Sequence, residues 1–313
     1  AGSSDFSCSA APPEPHAFPK PDTTTSITSD NPDPSVSGQT VTVQYDVGAT
    51  APGAGTPTGS VTVSDGTQSC TATVAAGQCT IAFTSPGARS LTATYAGDSD
   101  FNGSTSAAEA HSVDKVGTTT SITSDSPDPS VTGQSVTVDF TVASLGGGTP
   151  TGTVTVGDGT QSCSASVATG HCTIAFTSTG AKSLTASYAG DSDFKASDSS
   201  AEAHTVGKAD TTTSITSDGP DPSVTGQSVT VHYDVAATAP GGGNPTGSVT
   251  VSDGTQSCTA SVTAGQCTIA FSSTGAKSLT ASYAGSGDYT ASTSTAEAHA
   301  VDKADTTTSI TSD

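Results

Sequence analysis

The sequence predicts an all-β chain of three tandem antiparallel β-sandwiches, each of about seven strands. Three observations predict it. The segment TTTSITSD recurs at Thr23, Thr118, Thr211 and Thr306, so the chain repeats at intervals of 95, 93 and 95 residues. Within each repeat, β-branched and aromatic residues alternate with small polar ones, the period of half-buried strands. No segment sustains the 3.6-residue apolar period of a helix.

The first 22 residues, AGSSDFSCSAAPPEPHAFPKPD, are rich in proline and show no alternation, and they read as an extended arm or linker. Repeats follow over 23–117, 118–210 and 211–305. Residues 306–313 reproduce the opening strand of a repeat, and are expected to serve as that strand in a further repeat or to dock on another subunit by strand addition.

In the first repeat the expected strands are Thr23 to Asp30, Gln39 to Val47, Gly59 to Ser64, Gln68 to Val74, Gln78 to Thr84, Arg89 to Tyr95 and Thr105 to Val113. In the second of these, Val41, Val43, Tyr45 and Val47 point to the core and Thr40, Thr42, Gln44 and Asp46 to water. Turn residues separate the runs in NPDPS, GAGTPTG, DGT, AAGQ and SPGA. The two-residue length difference falls in a Gly/Pro loop, where repeat 2 has ASLGGGTPTG against GATAPGAGTPTG and AATAPGGGNPTG in its neighbours. Seven short strands in about 95 residues suit a two-sheet sandwich, with an open barrel as the competing arrangement.

Hydrophobic residues make up 32% of the chain and aromatics 4%, so each core must be small and a covalent staple helps. Six of the seven cysteines supply one. Cys70 and Cys79, Cys163 and Cys172, and Cys258 and Cys267 stand nine positions apart at the same place in each repeat, flanking one turn. They read as hairpin disulfides between neighbouring strands, which implies an oxidising, extracellular location. Zinc sites usually space paired cysteines by two to four residues, and two cysteines per repeat do not complete one. Cys8 has no partner in the sequence. It is expected to be an exposed or capped thiol, or half of an intermolecular disulfide.

The net charge of −21 is spread at −6 per repeat, with no Lys/Arg stripe, which disfavours nucleic acid and anionic membranes. No apolar run reaches the roughly 20 residues that span a bilayer. Acidic loops make calcium worth weighing: Asp30, Asp33, Asp98 and Asp100 in repeat 1, and Asp125, Asp128, Asp191 and Asp193 in repeat 2. Turn geometry and solubility account for the same residues without an ion.

No nucleophile elbow, zinc-protease motif, phosphate loop or dinucleotide fingerprint occurs, so no enzyme is expected and no cofactor beyond calcium. His111, His204 and His299 share one position, in AEAH, which marks a strand feature and not a single active site. His171 and His232 occur once each. Lys115, Lys208 and Lys303 lie in linkers, where an isopeptide crosslink is not expected.

The segment PTGSVTVSDGTQSCTATVAAGQCTIAFTSPGARSLTATYAGDSDFNGSTSAAEAHSV resembles bacterial immunoglobulin-like repeats. The shared marks are a Pro-x-Gly strand entry, an Asp-Gly hairpin and the run from Leu91 to Ser104. Repeat 2 keeps that run from Leu184 to Ser197, and repeat 3 departs from it at Ser286 and Tyr289. The resemblance spans residues 23–305. It implies immunoglobulin-like sandwiches in tandem, as in adhesin stalks, surface-layer or filament components, and modules of secreted enzymes or phage particles. The expected role is a non-enzymatic part of an extracellular or cell-surface assembly, bound to other copies of itself or to that assembly. The alternatives are an adhesin or carbohydrate-binding array with a glycan ligand, or an accessory array of a secreted enzyme or phage particle.

Overall fold

Strict alternation forms strands because each one buries one face, and the described residues, 19–311 in this computed structural model, are almost wholly strand and turn. The chain divides into two units, one up to Val116 and one from Gly117 onward. Cys8 and the arm through residue 18 lie outside the described residues.

Repeat 1 contains β1 (Thr23–Asn31), β2 (Ser35–Val36), β3 (Thr40–Ala49), β4 (Ser60–Ser64), β5 (Ser69–Thr73), β6 (Gln78–Ala82), β7 (Gly87–Tyr95), β8 (Ser104–Thr105) and β9 (Glu109–Asp114). One sheet runs β1-β3-β6 and the other β2-β9-β7-β4-β5, with β8 beside β7. Repeats 2 and 3 copy this order. The seven expected strands are all present, with the last divided into β8 and β9. The open barrel is not formed.

Two features depart from simple antiparallel alternation. The opening strand changes sheets: β1 pairs with β3, then Pro32 and Pro34, which have no N–H to give a ladder, carry the chain over to the second sheet. There β2 runs parallel to β9, Ser35 opposite Val113. The second departure concerns the disulfides. β5 pairs with β4 and β6 with β3, so the cysteine-bearing strands are edges of different sheets and not a hydrogen-bonded hairpin. Cys70–Cys79, Cys163–Cys172 and Cys258–Cys267 are disulfides with Cα atoms 5.9 Å apart, and each joins the two sheets along one open side. The turn between the strands closes on Gly77, whose φ of 63° suits glycine.

The core lies between the sheets. Val41, Val43, Val61, Val63, Phe83, Leu91 and Ala93 are fully buried, with Tyr45 and Tyr95 beside them. Small Thr and Ser side chains cover the outer faces and pair across strands, as Thr62 does with Thr71 at 2.9 Å. After Asp302 the described residues hold no strand, and Ile310 is 95% exposed. No helix among the described residues is long and apolar enough to cross a membrane.

Candidate functional site

The sheet change places three side chains of one short segment against β9. Asp30 is the penultimate residue of β1, Asp33 lies in the crossing loop and Ser35 opens β2; all three face His111. The imidazole is buried, and its ring centroid stacks 5.0 Å from that of Phe83. Its Nδ1 lies 2.6 Å from Asp30 Oδ2 and 3.5 Å from Asp33 Oδ1, while Nε2 lies 2.9 Å from Ser35 Oγ. A carboxylate only accepts, so Nδ1 carries a proton and donates to Asp30. In the neutral imidazole, Nε2 then accepts from the Ser35 hydroxyl. Asp33 also accepts the Ser112 N–H at 2.9 Å.

The same cluster recurs in both other repeats. His204 meets Ser130 at 2.8 Å and Asp125 at 2.5 Å, and His299 meets Ser223 at 2.9 Å and Asp218 at 2.5 Å. Asp128 and Asp221 take the place of Asp33.

A serine, a histidine and an aspartate in line are the parts of a nucleophilic relay, but Ser35 is 0% exposed and no acyl group reaches its oxygen. The acids and the imidazole also lie close enough together to suggest a metal centre. Both imidazole nitrogens are already bonded to protein groups, Nδ1 to the very carboxylate that would share the ion. The arrangement suits a polar tie between β1, β2 and β9, with every buried hydrogen-bonding atom of the ring satisfied.

Asp98 and Asp100 are not brought to that cluster; they stand at another loop. Asp98 Oδ2 accepts from the N–H and hydroxyl of Thr58 at 2.8 and 2.7 Å, and Oδ1 accepts from the N–H groups of Asp100 and Phe101 at 2.8 Å each. Four donors use the four acceptor positions of one carboxylate. The Thr58 hydroxyl, followed by the backbone donors, holds the Asp98 carboxyl well below the usual range. Asp191 does the same with Thr151, Asp193 and Phe194; burial opposes the shift, but the hydrogen bonds win. Burial, and after it the Asp191 charge, pushes the Tyr188 hydroxyl up to about 12. Repeat 3 has Ser286 at this place, and the hydroxyl of Tyr283 donates instead to the Thr246 carbonyl at 2.6 Å. The linker lysines cap these loops: Lys20 Nζ donates to the Asp98 carbonyl and Lys208 Nζ to that of Ser286, both at 2.6 Å.

Sequence reasoning grouped Asp30 with Asp33 but missed Ser35 and His111 as their partners. The available signal was the joint recurrence of PDPS and AEAH in all three repeats.

A family model described as bacterial Ig-like domain (group 3) matches residues 27–114, 122–207 and 215–302. No curated protein sequence matches the chain. Similar solved structures include three N-terminal domains of the bacteriophage RB49 highly immunogenic outer capsid protein, at 17% identity and a TM-score of 0.28, covering 90% of this chain and 100% of that one. The Escherichia coli adhesin FdeC is similar at 16% identity and a TM-score of 0.26, over 90% and 96% of the two chains. Fibronectin(III)-like modules of Clostridium thermocellum CbhA align at 16% identity and a TM-score of 0.23, over 58% of this chain and 92% of theirs.

Proposed function

Because this chain belongs to the bacterial Ig-like domain (group 3) family, we propose that it is a non-enzymatic structural component of an extracellular surface assembly, a spacer of a filament or stalk. One observation carries this reading: the Ser-His-Asp cluster and the disulfide each occur once in every repeat, at equivalent positions, and serve the interior of the domain. The Ser-His-Asp tie and the inter-sheet disulfide stabilise a domain and present nothing to a ligand. A spacer gains length from copies, whereas a recognition site needs only one.

The disulfides support an oxidising, extracellular setting. The even acidic charge supports solubility and partners other than nucleic acid or membrane. A glycan-binding array is the weaker reading, because sugars stack on exposed aromatics. Every tyrosine, and every phenylalanine among the described residues, is buried. The partners that fit are other copies of the chain or the surface structure that carries it.

Imaging of the native material with an antibody to the chain tests the reading. Labelled filaments or stalks are the expected result. Tight binding of the purified chain to a glycan array, with no labelled surface structure, would favour the adhesin reading.

A further inference from the structure

The sequence carries three asparagines, Asn31, Asn102 and Asn244. Two of them precede proline, in Asn31-Pro32 and Asn244-Pro245, and the third precedes Gly103. That neighbour decides a reaction that needs only water. The backbone nitrogen of the following residue attacks the asparagine Cγ; the bond from Cγ to Nδ2 breaks, and ammonia leaves with the proton that the attacking nitrogen gives up. The five-membered imide so formed takes up one water, which opens it to aspartate or to isoaspartate. A proline nitrogen has no proton to give up, so Asn31 and Asn244 are barred from this route. Glycine, with no Cβ in the way, brings its nitrogen to the side chain most freely.

The fold does not require this pair. Repeats 2 and 3 have Lys195-Ala196 and Thr290-Ala291 at the place of Asn102-Gly103. The backbone is alike in all three, since a Cβ on Gly97, Gly190 or Gly285 would lie 2.9, 3.0 or 3.1 Å from the nitrogen of Gly103, Ala196 or Ala291. Gly103 is not among the glycines with positive φ. A Cβ on it would lie 2.8 Å from the Tyr95 carbonyl oxygen, so alanine needs a small local shift, of the kind repeats 2 and 3 accommodate. Asn102 and Gly103 are both exposed.

Asn102 straps the segment that leads into β1. Its Nδ2 donates to the Lys20 carbonyl at 3.0 Å and to Asp22 Oδ1 at 2.9 Å. Its N–H donates to the Pro21 carbonyl at 3.0 Å, and its own carbonyl accepts the Thr23 hydroxyl at 2.8 Å. Aspartate at this place sets an acceptor and a negative charge where two N–H groups donated, against a carbonyl and a carboxylate. Isoaspartate does more, because the backbone then runs through the side chain and gains a methylene. That shifts Ser104, whose hydroxyl lies 2.7 Å from those of Thr23 and Thr25.

We propose that Asn102 is a site of spontaneous deamidation, and that its conversion releases residues 20–22 from the first sandwich. The two bonds on Nδ2 restrain the amide while they are closed, so the folded chain reacts more slowly than a free peptide. They lie in an exposed loop, where local opening admits the attack. Repeat 3 holds Asp210 with the Thr290 hydroxyl at 3.1 Å, a strap that this chemistry cannot cut. The release is therefore confined to repeat 1, runs one way and needs no enzyme.

The test is storage of the whole purified chain in mildly alkaline buffer, followed by peptide mapping. The expected result is a gain of about 1 Da on the fragment that holds Asn102, with isoaspartate in the product and no change at Asn31 or Asn244. Gly103→Ala should slow the conversion severalfold and Asn102→Gln should abolish it; thermal melts show that each variant is folded. The Thr50 N–H donates to the Asp22 carbonyl at 2.8 Å, so its amide exchange should rise severalfold from fresh to converted chain. An Asn102 still intact when a free peptide of residues 98–106 has fully converted would overturn the site. Conversion as fast in Gly103→Ala as in the parent would also overturn it, as would a glycan on Nδ2, which the order Asn-Gly-Ser can accept. Unchanged exchange at Thr50 after conversion would overturn the release.

Discussion

The Ser35 hydroxyl lies 2.9 Å from Nε2 of His111, and both residues are shut away from solvent. Their relation is that of a relay without a substrate, so its effect falls on stability. Replacing His111 with Ala leaves Ser35 and Asp30 without their partner in a buried site and opens a cavity, a cost of about 3 kcal/mol. Ser35→Ala removes one neutral hydrogen bond, about 1 kcal/mol. Urea denaturation of the two variants should rank them in that order. A serine-directed fluorophosphonate should label neither the parent nor the variants; labelling of Ser35 would contradict the structural role.

Opening the staple of repeat 1 with Cys70→Ser and Cys79→Ser frees a loop of nine-residue separation. The chain-entropy relation gives about 2–3 kcal/mol for such a loop. Calorimetry should show one of the three repeats melting earlier while the other two keep their midpoints. A uniform fall in all three would show that the repeats do not unfold as separate units.

Acid should separate the repeats. A carboxyl whose folded pKa lies below its unfolded value, about 3.9 for Asp, stabilises the fold at higher pH; that contribution fades as pH falls toward the folded value. Asp98 and Asp191 are depressed in this way, and repeat 3 has Ser286 at the same position. Asp98→Asn should therefore lower the melting midpoint of repeat 1 at pH 7, with the gap to the parent closing below about pH 4. Ser286→Asp should raise the midpoint of repeat 3 at pH 7, with the gain shrinking over the same window. A gap that stays constant from pH 7 to pH 2 would exclude this origin.

Tyr289 donates its hydroxyl to the Gly242 carbonyl at 3.0 Å, a bond that Phe101 and Phe194 cannot make in the other repeats. Tyr289→Phe should cost about 1 kcal/mol. Because Gly242 also bonds to Thr132, amide exchange at Gly242 should rise in the variant. Unchanged exchange there would show that the loop does not depend on the tyrosine.

Much of the fold was legible because alternation is local. Val41, Val43, Tyr45 and Val47 declare their face by spacing alone, and all four are buried. The partners of a strand are not local. Cysteines nine residues apart suggested a hairpin, but whether β5 and β6 bond to each other or to β4 and β3 depends on sheet order, which no local pattern encodes. The Ser35 to His111 contact spans 76 residues and depends on the parallel β2–β9 pair, which two residues of strand cannot announce. Asp98 was legible as a loop acid, but its four donors come from chain that folds back from Thr58 as well as from its own turn.

The short span of each disulfide also bears on which cysteines find one another. Three nearly identical domains in one chain carry six nearly equivalent thiols, and mispairing between domains would trap the wrong connectivity. Cys79 is nine residues from Cys70 and 84 from Cys163. Since encounter probability in a flexible chain falls as about the three-halves power of separation, the native closure is favoured roughly thirtyfold before any sandwich forms. Oxidation therefore keeps its fidelity however many copies the array contains.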